Sequence, residues 1–252
     1  IFADDDPPPA DMDGVSLMPR HLRLARGQAI AGLTGYGEGC WWVQDISASL
    51  AARMLGSGEG KTALDLCAAP GGKTMQLASV GYDVTAVDVS EARLARLSEN
   101  LARTGLKAEV VAADVMKWQP EEPVDAILLD APCSATGIFR RHPDVLHRVR
   151  PKAIKELAEG QKAMLARAAD WLKPGGTFVY SVCSLEPEEG EQVLDAFLSS
   201  RSDYALDVIR ADELPAGIAP DVEGRVRVLP GAFAEEGGAD GFFIARLVRR
   251  AN

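Results

Sequence analysis

The chain has 252 residues, of which 47% are hydrophobic and 25% are charged, a composition typical of a soluble globular protein rather than of a disordered, collagen-like or coiled-coil chain. Its net charge of −10 argues against binding nucleic acid through overall charge, and no apolar run reaches the roughly 18 residues of a membrane-spanning helix. The acidic start lacks an initiator methionine and a secretion signal, so we expect a trimmed chain, a cytoplasmic location and reduced cysteines.

The first 45 residues differ from the rest of the chain. Residues 1–20 hold Pro7-Pro8-Pro9 and a cluster of aspartates, which favour a linker or a disordered end. Residues 21–45 hold short apolar pieces between glycines, which predict small strands or an arm that Trp41 and Trp42 pack onto the core. We therefore divide the chain into a linker and arm at 1–45 and one large domain at 46–252.

Strand-like and helical runs alternate from about residue 45 onward, which is the pattern of a parallel sheet with crossover helices. The predicted strands are 63–66, 83–89, 108–112, 124–130, 177–183 and 241–248. The predicted helices are 44–55, one that follows Gly72, one that Ser90 caps and that runs to Thr104, 151–172 and 187–198. The sequence thus predicts an α/β fold of about seven mostly parallel strands, with helices on both faces and a reversed strand near the end.

A glycine-containing loop separates the first of these strands from its helix. It comprises Cys67, Ala68, Ala69, Pro70, Gly71, Gly72 and Lys73. Such a loop lets a ligand approach the backbone at the carboxyl end of the sheet. The loop does not match the dinucleotide-binding pattern GxGxxG. It does not match the phosphate-binding pattern GxxxxGK[ST] either, because position 67, where that pattern requires glycine, is Cys.

Two aspartates follow the next two strands. Asp88 comes 23 residues after Asp65, which suits an acid that accepts hydrogen bonds from ribose hydroxyls. Asp114 follows the third strand, where it could contact an adenine amine. A solvated acid or a helix cap is the alternative for either residue alone. Both acids lie in register with the glycine loop, which favours a nucleoside site.

Two cysteines follow the next two strands. Cys133 lies three residues after Asp130, and Cys183 ends the strand predicted at 177–183. Neighbouring parallel strands end at one edge of the sheet, so both thiols should face the ligand crevice. Two buried structural thiols are the alternative. The four cysteines show no metal-ligand spacing, so no metal is implied.

A basic segment, residues 138–155, contains six basic residues and one acid. Arg140, Arg141 and His142 follow the Cys133 loop, where they could grip phosphates of a nucleic acid. A solvated helix start is the alternative for the rest of the segment. An acidic protein can therefore still present a basic groove.

Four segments carry a specific resemblance: LDLCAAPGGKT at 64–74, VTAVDVS at 84–90, LLDAPCSATGIFRRHPDV at 128–145 and SVCSLEPEEGE at 181–191. Over about residues 28 to 248 the chain resembles the Sun (Fmu) type RNA cytosine-5 methyltransferases, and within them the bacterial group that acts on 16S rRNA. DAPCSATG together with a second Cys after the following strand is the most specific feature.

The resemblance implies a class I S-adenosylmethionine-dependent methyltransferase fold, with S-adenosylhomocysteine as product. It implies that residues 67–73 cradle the cofactor, that Asp88 with Arg93 holds the ribose, and that Asp114 contacts the adenine. Asp130 would lie where cofactor and base meet. Cys183 would be the nucleophile and Cys133 the assisting thiol. It also implies that an N-terminal RNA-binding domain is missing, that residues 1–45 are the remnant of a small preceding domain, and that the protein is a monomer.

This chemistry explains the residue types. A Cys183 thiolate that adds to cytosine C6 makes C5 nucleophilic toward the methyl group, and electron density builds at N3 and O2. A protonated Asp130 could donate to N3, which would require a raised pKa. We favour an rRNA substrate. The alternatives are a tRNA cytosine-5 methyltransferase, a DNA cytosine-5 methyltransferase, a non-catalytic RNA-binding module with this fold, and a methyltransferase of small molecules.

Overall fold

The computed structural model describes residues 1–25 and 27–251, so Arg26 of the predicted arm and Asn252 of the large domain lie outside the described residues. A short antiparallel ribbon, β1 (Gly14–Val15) with β2 (Arg23–Leu24), precedes the main sheet. The remaining strands are β3 (Thr62–Leu66), β4 (Asp83–Asp88), β5 (Glu109–Ala112), β6 (Val124–Asp130), β7 (Leu172–Val182), β8 (Tyr204–Leu206), β9 (Val226–Val228) and β10 (Phe242–Arg249). The helices are α1 (Ile46–Arg53), α2 (Gly72–Ser79), α3 (Glu91–Thr104), α4 (Val145–Arg148), α5 (Pro151–Ala169) and α6 (Glu191–Ser200).

The main sheet has the strand order β5-β4-β3-β6-β7-β10-β8, with β9 pairing β10. Strands β3 to β7 are parallel, and β10 pairs antiparallel with β7, β8 and β9. This confirms the predicted parallel sheet and its reversed strand, and β9 makes it eight-stranded. After β3 the chain adds β4 and β5 on one side of it and then β6 and β7 on the other side. The order of the strands therefore reverses beside β3, which opens a crevice at the carboxyl ends of these strands.

Alternating side chains of each strand enter two separate hydrophobic layers. Ala126 and Leu128 point to the layer under α1, α2 and α3, whereas Ile127 and Leu129 point to the layer under α5 and α6. Both layers are apolar because parallel strands with crossover helices are covered on both faces. Helices therefore lie on both faces of the sheet, as the sequence predicts.

Three of the predicted boundaries that differ from the structure have a local physical reason. Helix α5 ends at Ala169, because Leu172 already pairs with Val124 as the first residue of β7, and a register shift absorbs the following Pro-Gly-Gly. Helix α6 begins at Glu191 rather than at residue 187, because residues 184–190 form a loop that serves the site described below. Helix α1 begins at Ile46, where the Asp45 side chain accepts a hydrogen bond from the backbone of Ser47.

The N-terminal segment is better ordered than the sequence predicts. Ile1 and Phe2 are buried, and Phe2 forms a bridge with Trp41, so the interpretation of residues 1–20 as a linker or disordered end does not hold at its start. Trp41 and Trp42 are buried as predicted, and the Trp41 indole donates to the carbonyl of Thr34 at 2.9 Å. The role of residues 1–45 as the remnant of another domain stays a prediction.

Within the described ranges, no helix combines the length and the apolar character that crossing a bilayer requires.

Candidate active site

The glycine loop between β3 and α2 is shaped by left-handed backbone. Cys67 has φ +63° and Gly71 has φ +101°. A Cβ on Gly71 would lie 2.8 Å from Cγ of Leu97, closer than real side chains approach. Only glycine therefore fits at this position, and α2 begins immediately after it with its N-terminus toward the crevice.

A cavity of about 440 Å³ lies between this loop and the arm. It is lined by Asp65, by loop residues 67–70, 72 and 73, by Asp130 and by arm residues 42–45. The structure thus brings together the predicted loop and Asp130. Neither Asp88 nor Asp114 lines this cavity.

Asp65, which the sequence analysis did not select, is the most perturbed acid at the cavity. It is fully buried, its Oδ2 accepts a hydrogen bond from the Thr74 hydroxyl at 2.6 Å, and its Oδ1 has no partner among the described residues. Burial raises its pKa to about 7, although the Thr74 hydrogen bond and the nearby Lys73 charge oppose this rise. A buried acceptor without a partner, on the wall of a cavity, suits a ligand that carries a donor or a positive charge.

Asp88 connects the end of β4 to the glycine loop. Its Oδ2 accepts from the Ala69 backbone at 3.1 Å and its Oδ1 accepts from the Ser90 backbone at 2.9 Å. Arg93 lies 3.6 Å from the same carboxylate and also donates to the carbonyl of Ala69. Both residues therefore position the loop, and their contact with a ribose stays a prediction.

Asp114 lies more openly, two residues beyond β5. Its side chain is 39% exposed and its Oδ1 accepts from the Met116 backbone at 2.9 Å, which makes it a turn-capping residue in this structure. Its predicted contact with an adenine is neither supported nor opposed by this geometry.

Asp130 accepts hydrogen bonds on both oxygens. Lys73 Nζ lies 2.7 Å from Oδ2, and the Ser181 hydroxyl donates to Oδ1 at 3.0 Å. The Lys73 ammonium also lies 5.1 Å from the centre of the Phe242 ring. Both Asp130 oxygens thus accept from neighbouring donors, Lys73 is the group of the pair with several N–H donors, and a proton on Asp130 stays a prediction.

Cys133 and Cys183 contact each other across the ends of the neighbouring strands β6 and β7. Their sulfurs are 3.4 Å apart, although 50 residues separate them in sequence. The hydrogen bond with Cys183 and burial raise the pKa of Cys133 well above its ordinary value. Cys133 is thus held as a neutral thiol beside the Cys183 sulfur. The two thiols lie in direct contact, and their roles in a reaction stay predictions.

Two glycines bring the Cys133 loop against the end of β7. The Gly137 backbone donates to the Cys183 carbonyl at 3.1 Å, and the Gly241 backbone donates to the Gly137 carbonyl at 2.8 Å. A Cβ on Gly137 would lie 2.1 Å from the Gly241 oxygen, so no side chain fits there. These contacts fix the loop that carries one thiol to the strand that carries the other.

We predict that Gly137→Ala lowers the free energy of unfolding by about 3 kcal/mol, because backbone rather than a movable side chain opposes the new methyl group. Gly160→Ala is the matched control: Gly160 lies in α5 with open space around it, and this change should stabilise the protein by up to about 1 kcal/mol. Urea unfolding of both variants measures the difference. Equal stability of Gly137→Ala and wild type would contradict the close approach.

The basic residues after this loop have internal partners that the sequence analysis missed. The Arg140 side chain is only 18% exposed, and its guanidinium donates to Asp45 at 2.9 Å and to Asp240 at 3.2 Å. Arg141 Nε donates to Asp240 at 2.9 Å, although this side chain is 46% exposed and reaches the cavity. His142 is exposed.

Arg140 therefore ties the start of α1 to the segment before β10, and the interpretation of Arg140 as a free phosphate ligand does not match its contacts. The partners of Arg140, Asp45 and Asp240, lie 95 and 100 residues away in sequence, so only the fold could reveal that they pair with it. Arg141 and His142 remain candidates for contact with RNA.

Among residues 1–25 and 27–251, no group of three His, Cys, Asp or Glu side chains is arranged to hold a metal ion.

The strand order, the antiparallel β10 and the glycine loop after the central strand define the class I methyltransferase fold. Residues 52–248 match the model of a family described as 16S rRNA methyltransferase RsmB/F, and the chain belongs to this family.

The relatives agree with this assignment. Ribosomal RNA small subunit methyltransferase B of Klebsiella pneumoniae (strain 342) is 45% identical over 239 residues, which are 93% of this chain and 52% of that protein. The chain thus spans about half the length of the curated relatives it matches.

Two solved structures are similar in fold and sequence. The crystal structure of PH0851 is 31% identical with a TM-score of 0.84, over 94% of this chain and 53% of that one. The structure of NSun6 from Pyrococcus horikoshii with SFG is 29% identical with a TM-score of 0.74, over 89% of this chain and 57% of that one.

Proposed function

We propose that this chain is the catalytic part of an RNA methyltransferase that transfers a methyl group from S-adenosylmethionine to carbon 5 of a cytosine in 16S rRNA, through a covalent bond between Cys183 and carbon 6. The observation that carries this proposal is the 3.4 Å contact of the two cysteines. It lies at the same sheet edge as the glycine loop and Asp130. Family membership supports rRNA as substrate and the cytoplasm as the place of action.

The cavity at the glycine loop fits the methionine part of the cofactor. Asp65 presents a buried oxygen that has no partner among the described residues, which suits the ammonium group. When bound, S-adenosylmethionine supplies an electrophilic methyl group. Asp88, Arg93 and Asp114 are proposed to hold its nucleoside part, on the basis of the resemblance.

The cysteines divide the reaction into two halves. Cys183, once its thiol proton has left to solvent, forms a bond from its sulfur to carbon 6, which makes carbon 5 nucleophilic. Carbon 5 would then bond to the methyl carbon while the bond from that carbon to the sulfonium sulfur breaks, which leaves S-adenosylhomocysteine. Next the carbon 5 proton leaves to solvent and the bond between carbon 6 and sulfur breaks. Cys133, which its raised pKa keeps protonated, donates a hydrogen bond to the departing Cys183 sulfur.

The Lys73–Asp130 pair supports the first half. Electron density builds at N3 and O2 of the pyrimidine when Cys183 adds. The Lys73 ammonium is held in place by its 2.7 Å ion pair with Asp130. A positive charge that is already in position stabilises such electron density without the protein having to rearrange. This assigns to Lys73 the proton-donating role that sequence reasoning gave to Asp130.

Methyl transfer from labelled S-adenosylmethionine tests the proposal. The substrates are unmodified small-subunit rRNA, the assembled small subunit and a tRNA pool, and nucleoside analysis identifies the product. We expect 5-methylcytosine in rRNA. Label in tRNA alone would overturn the choice of substrate, and label at another atom would overturn the chemistry. No label on any RNA, with cofactor binding retained, would contradict catalysis by this chain alone.

A further inference from the structure

Glu189 lies in the loop between β7 and α6 and is completely buried. Its Oε1 accepts hydrogen bonds from the Ser134 backbone at 2.8 Å and from the Gln161 amide at 3.2 Å. Its Oε2 accepts from the hydroxyl of Ser184 at 2.5 Å and from that of Ser134. Ser134 follows Cys133 and Ser184 follows Cys183, so one carboxylate binds the residues next to both thiols.

We infer that Glu189 is a positioning residue that sets the distance between the Cys133 and Cys183 sulfurs, an assignment that rests on the proposed function of these cysteines. It joins the loop after β6 to the loop after β7 at the point where each carries its thiol. Ser134 lies 55 residues from Glu189 in sequence and Ser184 lies 5 residues from it. The Glu189 hydrogen bonds therefore connect two loops that are far apart in the chain.

Every group that contacts the Glu189 carboxylate is a hydrogen-bond donor. All four partners of Glu189 are donors, and each serine hydroxyl has one proton to give. Ser184 Oγ also accepts from the Glu186 backbone at 3.1 Å, and Thr136 Oγ1 accepts from the Leu185 backbone at 2.9 Å. A carboxamide at position 189 has one acceptor oxygen and one NH2 donor where Glu189 has two acceptor oxygens, so the donors that meet at one of these oxygens would lose their acceptor unless the hydroxyls turn.

The contacts of the neighbouring chain reinforce this geometry. Arg227 donates to the Ser184 carbonyl at 2.6 Å, and the Tyr180 hydroxyl donates to the Glu189 carbonyl at 2.5 Å. Replacing a buried charged network with apolar residues often changes the stability of a fold little. We therefore assign to this network the placement of the two loops. The Glu189 charge also raises the pKa of Cys133, although by less than the hydrogen bond with Cys183 and burial do.

Cross-linking with dibromobimane tests the inference without RNA. This probe alkylates two neighbouring thiols with loss of two bromides and becomes fluorescent when it bridges them. We expect bridging of Cys133 and Cys183 in wild type, at a rate that the raised pKa of Cys133 limits, located by mass spectrometry. In Glu189→Gln, bridging should slow by at least about tenfold, since small misplacements have large effects on reactions between held groups. Glu188→Gln is the matched control, because Glu188 is the neighbouring acid in the same loop while the hydrogen bonds to Ser134 and Ser184 belong to Glu189, and it should react like wild type.

Binding of S-adenosylhomocysteine and thermal unfolding monitor the fold of each variant. If Glu189→Gln is unfolded, Ser134→Ala replaces it, and slower bridging in this variant supports the inference. Bridging at the wild-type rate in either folded variant overturns it, as does a wild type that the probe cannot bridge. In methyl transfer assays of Glu189→Gln, we expect kcat to fall about 100-fold relative to wild type and the KM for the cofactor to stay unchanged. Normal bridging without any methyl transfer would instead contradict the proposed function.

Discussion

Cys183→Ala should lose methyl transfer by roughly 10⁴-fold or more, the scale on which removing a nucleophile acts. Cys133→Ser should instead complete the first half of the reaction and stop. The reason is their geometry: the Cys183 sulfur forms and breaks the bond to the base, and Cys133, 3.4 Å away, assists only when that bond breaks. The hydroxyl of serine is a much weaker acid toward the departing sulfur than a thiol.

Denaturing gels measure this difference. Cys133→Ser should retain RNA as a covalent adduct that survives denaturation, and the double variant Cys133→Ser, Cys183→Ala should retain none. Cys40→Ser is the control, because Cys40 is exposed on the arm and contacts neither thiol. An adduct that persists after loss of Cys183 would overturn the assignment of the nucleophile, and equal adduct levels in Cys133→Ser and wild type would overturn the role of Cys133.

Asp65→Asn should flatten the pH dependence of stability in the ligand-free protein. The folded pKa of Asp65 is about 7, against an ordinary value of 3.8. Because the folded pKa is raised, the stability that this group contributes is fully present below about pH 4 and is lost as the pH rises to about 7. Three pKa units correspond to a loss on the order of 4 kcal/mol. The neutral asparagine cannot show this loss.

Urea unfolding at pH 4.5, 6 and 7.5 measures the slope. Asp125→Asn is the matched control at the opposite end of the sheet. A backbone hydrogen bond from Thr62 lowers the Asp125 pKa below its usual value, so this group stabilises the fold above that value and loses its effect as the pH falls. The Asp125 contribution is constant above pH 4.5, so Asp125→Asn should leave the slope of wild type unchanged in this range, whereas Asp65→Asn should remove the Asp65 loss. Equal pH slopes for wild type and Asp65→Asn between pH 4.5 and 7.5 would contradict the raised pKa of Asp65.

Cofactor binding should also change the protonation of Asp65. A bound ammonium beside Asp65 would lower the raised pKa, so binding of S-adenosylhomocysteine near pH 6.5 should release a proton. Calorimetry in two buffers of different ionisation enthalpy detects this release. Asp65→Asn should abolish it and weaken binding about 100-fold, the scale of a charge-assisted hydrogen bond in a buried site. Binding without proton release would place the ammonium elsewhere.

Much of this protein could be predicted from local patterns. The strand at 124–130 was predicted with the bounds that the structure has, and the helix capped by Ser90 ends at Thr104 as predicted. Periodicity and capping act over a few residues, so they can be recognised in the sequence. The glycine loop and the two cysteines after neighbouring strands were found in the same way, since motif and strand end lie together in the chain.

The tertiary structure decided which side chains meet. Arg140 was predicted to grip phosphates but pairs with Asp45 and Asp240, because the fold brings the start of α1 and the segment before β10 to the same place. Asp65 became a site residue only through its burial, and Glu189 only through loops that sequence assigns to a helix. By itself the sequence determined the longer helices, six strands of the main sheet, their order and the residue types of the site, but not β8, β9 or α4. The choice of partner among many similar charges depends on distances across the sheet, and these arise only when the chain is folded.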